Sequence, residues 1–295
     1  MAAASQKGGP VITGIGDDCA ILRPPAGHEL LVTTDFSLEG VHFRHEWHPP
    51  ESVGHRCLTR GLSDIAAMGG QPLAVFLSLA LPPDLPQSWV DRFYRGLLKL
   101  ARRHQAILAG GDTAQSHSGI LADIMVIGSV PRGKAILRSG ARPGDRIFVT
   151  GKLGLGGASV RRLFGGERLR AAGDYFYPTP RLEVGAKLRG LASAMIDISD
   201  GLSTDLAHIC TESRVGAIVH QAAIPIAPTA TLDDALHGGD DYELLFTSSK
   251  RVLREIAGVP VSEIGEIVNG SDVRIQDERG RSKRLRSEGW QHFSQ

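Results

Sequence analysis

Cysteine is scarce in this sequence, and its three cysteines lie too far apart to indicate a pairing. Cys19, Cys57 and Cys210 form no Cys-x-x-Cys spacing, which excludes a disulfide scaffold and a cysteine zinc site. An excess of one charge is also missing, because 33 Lys and Arg residues face 32 Asp and Glu residues, for a formal net charge of +1. This balance argues against a protein that binds nucleic acid through overall electrostatic attraction.

Long hydrophobic runs are missing as well. No stretch approaches the roughly 18 apolar residues that a membrane-spanning helix needs, and the N-terminal segment lacks the apolar stretch of a secretory signal. We therefore expect a cytoplasmic protein with no membrane partner. One basic run, Arg279 to Arg286, could contact nucleic acid, but glycine and serine interrupt it and no aromatic platform accompanies it. A solvated hairpin is the favoured interpretation of that run.

Glycine is the one residue present in excess, with 36 residues that cluster in short loops. The helical spacing of Trp89, Phe93 and Leu97 predicts a helix over 86–104. Short apolar runs rich in β-branched residues predict strands, and periodic patterns predict further helices. Strands are expected at 30–33, 73–81, 120–130, 146–149, 194–198, 243–247 and 262–268, and helices at 51–68, 156–164, 180–191 and 201–212. The sequence therefore predicts a mixed α/β (α+β) fold.

A run of turn-forming residues, Gly133 to Asp145, interrupts these elements near the middle of the chain. Strand and helix patterns begin again after it. The chain is also long enough to divide into two domains. We therefore predict one domain at residues 1–134 and a second at residues 135–295.

Acidic residues recur where apolar segments end at glycine-flanked turns. The positions are Asp17 and Asp18, Asp35 after Thr33 and Thr34, Asp64, Asp112, and the group Asp197, Asp200 and Asp205. Taken alone, each such Asp is most often a turn former or a helix N-cap. If several converge, two carboxylates about 4 Å apart repel by roughly 4 kcal/mol at an effective dielectric of about 20, so a larger group needs cations. Oxygen ligands without cysteine suit Mg²⁺, which usually shares its coordination with substrate phosphates, and this indicates nucleotide chemistry.

Familiar nucleotide and metal motifs are incomplete. The segment Gly128 to Ala135 resembles a P-loop, but Ala135 stands where the Mg²⁺-binding Ser or Thr belongs. The segment 149–159 resembles a dinucleotide fingerprint, with Ser159 in place of the third glycine. Its glycines could cradle a phosphate or form a plain strand-to-helix turn. The histidines at positions 42, 45 and 48 lack the spacing of a zinc site, and a loop with one functional histidine is the favoured interpretation.

Seven motifs in order resemble those of the thiamine-monophosphate kinases, a family related to aminoimidazole ribonucleotide synthetase and selenophosphate synthetase. They are GIGDDCAIL, TTD with EGVHF, LSDIAAMGG, AGGDT, LRSGARPGD, IDISDGLSTDL and GGDDYELLF, and the match runs from about Ile12 to Phe293. The resemblance implies ATP-dependent phosphorylation of thiamine monophosphate to thiamine diphosphate by a homodimer. It also implies an N-terminal domain for metal, nucleotide and dimer contacts, and a C-terminal domain that completes the nucleotide and substrate site.

The resemblance implies roles for individual residues. Several Mg²⁺ ions would be bound by Asp18, Thr33, Thr34, Asp35, Asp64, Asp112, Asp197 and Asp200. The co-substrate ATP would be contacted by Tyr94, Gly111, Asp112, Arg138 and Ser199. Thiamine monophosphate would be contacted by His42, Asp240 and Trp290. A tryptophan face suits a cationic thiazolium, although a core-anchoring tryptophan is the alternative for Trp290.

The chemistry of the acceptor agrees with this set. A phosphate monoester is mostly dianionic near neutral pH, so no strong general base has to activate it. The reaction needs neutralisation of two phosphate groups and an in-line approach of the acceptor oxygen to the γ-phosphorus. We therefore expect direct, Mg²⁺-assisted transfer with no catalytic side-chain nucleophile and no phosphoenzyme.

Two features depart from the family pattern. Only about eleven residues precede Ile12, so we expect the usual N-terminal amphipathic helix to be absent or the start to be misassigned. Asp240 replaces the usual Glu with a side chain one methylene shorter, and Asp241 could share its role.

Two alternatives remain from the sequence. One is a sister ATP-dependent enzyme of the same superfamily, although no reactive cysteine followed by a glycine, as expected for selenium chemistry, lies near the N-terminus. The other is a non-catalytic nucleotide-binding protein on the same scaffold. A degenerate relative of that kind should have lost acidic ligands, and here the full set is present.

Overall fold

The computed structural model describes residues 9–290, which fold into two units. The first unit comprises residues up to 65, 70–133 and 169–180, and the second comprises 66–69, 134–168 and 181 onward. The chain crosses between the units several times, and one of these crossings is at Lys134. Residues 169–180, predicted to belong to the C-terminal domain, fold with the first unit. Residues 291–293, the last part of the family match, lie outside the described residues.

A four-stranded sheet forms the centre of the first unit. In chain order the elements are β1 (Val11–Thr13), β2 (Ile21–Leu22), β3 (His28–Leu38), α1 (Pro50–Ala67), β4 (Gln71–Leu81), α2 (Gln87–Arg103), β5 (Ile107–Gln115) and β6 (Leu121–Pro131). The sheet order is β3-β6-β4-β5, with β6 antiparallel to both neighbours and β4 parallel to β5. β1 and β2 form a separate antiparallel ribbon.

Helix α1 covers one face of this sheet because its apolar side is complementary to β6. A Cβ atom added at Gly61 would lie 2.5 Å from a methyl carbon of Val126, so only glycine permits this approach. On its other side α1 meets α2, where a Cβ at Gly54 would lie 2.0 Å from the carbonyl oxygen of Phe93. The two helices therefore touch through their backbones, and the helix is fixed tightly above the sheet.

The second unit is built on a larger, mostly antiparallel sheet. In chain order its elements are β7 (Arg146–Thr150), α3 (Leu155–Phe164), α4 (Leu182–Leu188), β8 (Ala194–Asp197), α5 (Leu202–Ser213), β9 (Gly216–His220), a 3₁₀ turn (Gln221–Ala223), α6 (Leu232–His237), β10 (Leu244–Ser248), β11 (Glu255–Ile256), β12 (Val259–Val268), β13 (Val273–Gln276) and β14 (Ser282–Arg284). The sheet order is β14-β13-β9-β12-β7-β10-β8, with β11 beside β12. Leu202, Leu206 and Ile209 of α5 are fully buried in its core.

The mixed α/β fold class that the sequence predicts is confirmed. The predicted helix over 86–104 is observed at 87–103, and the basic run near the C-terminus forms β14 of a hairpin with β13, as expected. The elements that were not predicted from the sequence are the strands β1, β2, β5, β9, β11 and β13 and the helix α6. No helix within residues 9–290 is long and apolar enough to cross a membrane.

Residues 169–180 form an aromatic strap that packs on the first unit beside α1. The hydroxyl of Tyr175 lies 3.2 Å from Nε2 of His48, and the guanidinium of Arg56 lies 4.8 Å from the centre of the Tyr175 ring. Nε2 of His55 lies 2.7 Å from the carbonyl oxygen of Pro178, which fits donation by the neutral imidazole. Burial is the main cause that lowers the pKa of His55 to about 4.

Because the strap holds the imidazole of His55 in its neutral form, we expect this residue to stabilise the fold less at acid pH. The imidazole binds protons in the unfolded chain below about pH 6.5 but not in the folded one, so this contribution is complete above that pH and is lost as the pH falls towards 4. His55→Gln keeps a donor for Pro178 and does not titrate. The free energy of unfolding in urea should fall between neutral pH and pH 4.5 by up to about 3 kcal/mol more for the wild type than for this variant. One pKa unit is worth about 1.4 kcal/mol.

His117→Gln is the matched control, because His117 is exposed. If the free energies of unfolding of the wild type and His55→Gln changed in parallel with pH, the strap would not hold a neutral imidazole.

Candidate active site

In the first unit, two threonine hydroxyls of β3 are hydrogen-bonded to carboxylates. Thr33 Oγ1 donates to Oδ2 of Asp64, which projects from α1, and Thr34 Oγ1 donates to Oδ1 of Asp123 on β6 at 2.5 Å. Successive residues of a strand point to opposite faces, so Asp35 shares the α1 side of β3 with Thr33. Asp123 was not predicted from the sequence. Its signal is a single carboxylate within the apolar strand LADIMVIG.

Asp112 lies on β5 in the same row of the sheet as Asp123. Both residues flank Ser78 of β4, one on each neighbouring strand. Asp112 is exposed, and its Oδ1 accepts the N–H of Thr113 at 2.8 Å. Gly111, the residue before it, has φ of 149°, and an added Cβ would lie 1.9 Å from the carbonyl oxygen of Leu77. Only glycine therefore brings β5 this close to β4.

The other predicted residues of the first unit lie at separate places. Asp18 is exposed between β1 and β2, and its N–H is bonded to Oδ1 of Asp17 at 2.9 Å. His42 accepts the N–H of Leu38 at 3.0 Å through Nδ1. Tyr94 is half-buried on α2, and burial raises the pKa of its phenol.

His42 also lines a cavity of the first unit, together with Ser37, Phe43, Val53, Arg56 and Arg60. The other two histidines of the loop contact protein groups. Nε2 of His45 lies 3.0 Å from a carboxylate oxygen of Glu39, and His48 meets Tyr175 of the strap. His42 is therefore placed at a cavity of the first unit.

In the second unit, the turn between β8 and α5 carries three predicted residues. Asp197 ends β8 and is buried, and Ser199 and Asp200 follow in the turn. Oδ2 of Asp205, on the first turn of α5, accepts the N–H groups of Ser199, Asp200 and Gly201 at 3.0 to 3.2 Å. Burial, with further contributions from Asp197 and Asp200, raises the pKa of Asp205 well above its usual value. The buried carboxyl group of Asp205 therefore holds the backbone of this turn in place.

Two predicted substrate contacts adjoin the same turn. The N–H of Asp240 donates to the carbonyl oxygen of Ser199 at 2.8 Å, and the N–H of Trp290 donates to that of Asp200 at 3.0 Å. The side chain of Trp290 is 49% exposed, so the alternative of a core anchor does not hold. Arg138, predicted to contact ATP, is exposed elsewhere in the unit, and its carbonyl oxygen accepts a bond from Ser213.

The glycine-rich turn between β7 and α3 is already bonded to a carboxyl group of the protein itself. Oδ2 of Asp241 accepts the N–H of Gly154 at 2.6 Å, and its Oδ1 accepts the N–H of Gly156 at 3.1 Å. Burial is the main cause that raises the pKa of Asp241 to about 7. The interpretation of this turn as a phosphate cradle therefore gives way to that of a turn capped by a carboxylate. This carboxylate is directed at the turn rather than sharing the role of Asp240.

The predicted acidic residues do not form a ready-made metal cage. Among residues 9–290, no three or more His, Cys, Asp or Glu side chains come together in a way that could hold a metal ion. The oxygen donors instead occur as small sets, such as Thr33 with Asp64 and the pair Asp197 and Asp200. Such sets fit Mg²⁺, which is usually held by one or two carboxylates and completes its shell with waters and substrate phosphates.

Comparison with known proteins identifies this fold. Two family models match the chain: AIR synthase related protein, N-terminal domain, over residues 16–130, and AIR synthase related protein, C-terminal domain, over residues 142–278. The fold therefore defines an AIR synthase related protein. The predicted two-domain resemblance to aminoimidazole ribonucleotide synthetase is confirmed.

Individual relatives narrow the family further. The thiamine-monophosphate kinase of Synechococcus elongatus is 36% identical over 301 residues, which cover 95% of this chain and 91% of that protein. The crystal structure of thiamine-monophosphate kinase from Stenotrophomonas maltophilia K279a has a TM-score of 0.83 and 36% identity, with 90% of this chain and 91% of that chain covered. The structure of AaThiL complexed with AMPPCP and TMP has a TM-score of 0.82 and 32% identity, with 95% and 92% covered. The chain belongs to the thiamine-monophosphate kinase family, as the seven motifs predict.

The close approach of β5 to β4 gives a testable prediction. We expect Gly111→Ala to destabilise the fold by at least about 2 kcal/mol, because the new methyl group meets the backbone of Leu77 and overpacking of this kind is costly. Gly133→Ala is the control, since Gly133 also has a positive φ but has open space where its Cβ would lie. Equal losses in the free energy of unfolding by denaturant would refute the steric requirement at Gly111.

Proposed function

We propose that this chain transfers the γ-phosphoryl group of ATP to thiamine monophosphate and so forms thiamine diphosphate and ADP. The observation that carries the proposal is the turn after β8. Ser199 and Asp200, the candidates for ATP and metal, are bonded through their carbonyl oxygens to Asp240 and Trp290, the candidates for the substrate. A relative that is 32% identical over nearly the whole chain is described as complexed with AMPPCP and TMP, which supports the same pair of ligands here. Because ATP is the donor, we place the reaction in the cytoplasm.

The proposed roles follow the chemistry of each side chain. Mg²⁺ ions would be held by carboxylates and hydroxyls, and when bound they would neutralise charge on the phosphates. ATP would contact the phenol of Tyr94, the backbone at Gly111, the guanidinium of Arg138 and the hydroxyl of Ser199. The proposed metal ligands are Asp18, Thr33, Thr34, Asp35, Asp64, Asp112, Asp197 and Asp200.

The proposed substrate residues have to bind thiamine monophosphate rather than activate its phosphate. The exposed indole of Trp290 offers a π-face to the cationic thiazolium of thiamine monophosphate, and the carboxylate of Asp240 and the imidazole of His42 add polar contacts. The acceptor phosphate is already largely dianionic, so no side chain has to remove a proton from it. These residues therefore bind and orient, and we propose direct in-line transfer with no phosphorylated side chain.

The reaction is tested by following products with purified protein. We expect equal amounts of ADP and thiamine diphosphate from ATP, thiamine monophosphate and Mg²⁺, no product with EDTA, and none from thiamine or aminoimidazole-pathway substrates.

Asp64→Asn should lower turnover at least about 100-fold with little change in unfolding temperature, because this carboxylate serves the metal rather than the core. Asp84→Asn is the control, since Asp84 is an exposed carboxylate of the same unit. Near-normal turnover in Asp64→Asn would contradict the metal role, and absence of thiamine diphosphate would refute the activity.

We also propose that the protein is a homodimer that pairs through the exposed face of the first sheet. On the face of β3 and β6 opposite α1, Val32 and Phe36 are 63% and 55% exposed, and Met125 is exposed beside them. An apolar surface of this kind on a regular sheet suits a self-complementary contact between two copies.

The dimer is tested by light scattering after size exclusion. We expect twice the chain mass for the wild type and the mass of one chain for Phe36→Glu, because the new charge would be buried without a partner. Leu253→Glu is the control, as Leu253 is exposed in the other unit and its variant should stay dimeric. A monomeric wild type, or a dimeric Phe36→Glu, would contradict the proposal.

A further inference from the structure

The segment that carries Asp240 adopts an unusual backbone conformation. Asp240 has φ of 65° and Tyr242 has φ of 53°, both in the left-handed region that residues other than glycine rarely occupy. Such conformations persist only where surrounding contacts hold them, and they are frequent at functional sites. The backbone here is therefore held in place by specific interactions.

Those interactions come from both sides of the segment. The N–H of Asp240 bonds to Ser199, as described above, and the N–H of Tyr242 donates to the carbonyl oxygen of Ile198 at 2.9 Å. Between them, the carboxylate of Asp241 is bonded to the N–H groups of Gly154 and Gly156. The backbone of residues 240–242 is thus attached to two different turns of the second unit.

The side chain of Tyr242 adds a contact that the backbone does not require. Tyr242 is 1% exposed, and its hydroxyl donates to Oδ1 of Asp240 at 2.5 Å. A buried tyrosine hydroxyl needs a polar partner, and here the partner is the carboxylate proposed to contact the substrate. A hydrogen bond at one oxygen restricts the rotation of a carboxylate that extends only one methylene from the backbone.

We propose that Tyr242 is a positioning residue that orients the carboxylate of Asp240 towards the cationic part of thiamine monophosphate. This inference rests on the proposed function, because it assigns a second residue to the substrate contact of Asp240. The hydroxyl also compensates for the short Asp side chain, since a carboxylate held in one orientation loses less entropy when the substrate binds.

The test is the variant Tyr242→Phe, which removes the hydroxyl and keeps the buried ring. We expect the KM for thiamine monophosphate to rise about five- to tenfold, while the KM for ATP and kcat stay within about twofold and the unfolding temperature is little changed. A purely structural role would not raise one KM selectively. Tyr177→Phe is the matched control, because Tyr177 lies on the strap and meets His55 through ring packing, and it should leave all constants unchanged.

A double-mutant cycle with Asp240→Ala decides whether Tyr242 acts through Asp240. We expect Tyr242→Phe to have no further effect on the KM for thiamine monophosphate when Asp240 is already Ala. An equal rise in both backgrounds, an unchanged KM in Tyr242→Phe, or a parallel rise of both KM values would overturn the inference while the active wild type upholds the proposed function. A wild type that forms no thiamine diphosphate would overturn the proposed function and this inference together.

Discussion

Buried carboxylates need hydrogen-bond donors. In the second unit, the positions of these donors determine how the turns of the candidate site are arranged. Asp205 takes three backbone N–H groups and so closes the turn after β8. Asp241 takes two N–H groups of the glycine-rich turn, and Glu243 is bonded to the guanidinium of Arg181 and to the hydroxyl of Thr150. Without these bonds the turns that carry Ser199, Asp200 and Asp240 would have no fixed shape. The candidate site is therefore shaped by the hydrogen bonds that these buried carboxyl groups accept.

The candidate ligands are held by a second kind of donor, the neutral hydroxyl. Thr33 donates to Asp64 and Tyr242 donates to Asp240. A hydroxyl orients a carboxylate without neutralising its charge, whereas an arginine does both. Asp64 and Asp240, which are proposed to face a cation and a cationic substrate, are both oriented in this way. Within the short sequence GGDDYE, a hydroxyl orients the carboxylate of Asp240, whereas the carboxyl group of Asp241 caps a turn through backbone N–H groups.

Local signals in the sequence predicted most of the fold, and long-range pairings account for what it missed. Apolar periodicity predicted α2 from Trp89, Phe93 and Leu97, since helical spacing is a property of neighbours along the chain. The role of Asp241 was not predictable, because the glycines that it caps lie 85 and 87 residues away. Asp123 was missed for the same reason, as its partner Thr34 lies 89 residues away on another strand. The ordered motifs identified the family, but hydrogen-bond partners required the structure.

We propose that carboxylates of this chain hold the Mg²⁺ that makes nucleotide binding favourable. The most direct measurement is the affinity for AMPPCP by calorimetry across a Mg²⁺ titration, for the wild type and for Asp200→Asn. We expect the wild type to bind AMPPCP only with Mg²⁺. Asp200→Asn should need more than about tenfold higher Mg²⁺ to reach the same affinity, since one lost ligand weakens the metal site. Equal affinity for AMPPCP in EDTA and in Mg²⁺, or identical Mg²⁺ curves for the two proteins, would show that these carboxylates do not hold the metal.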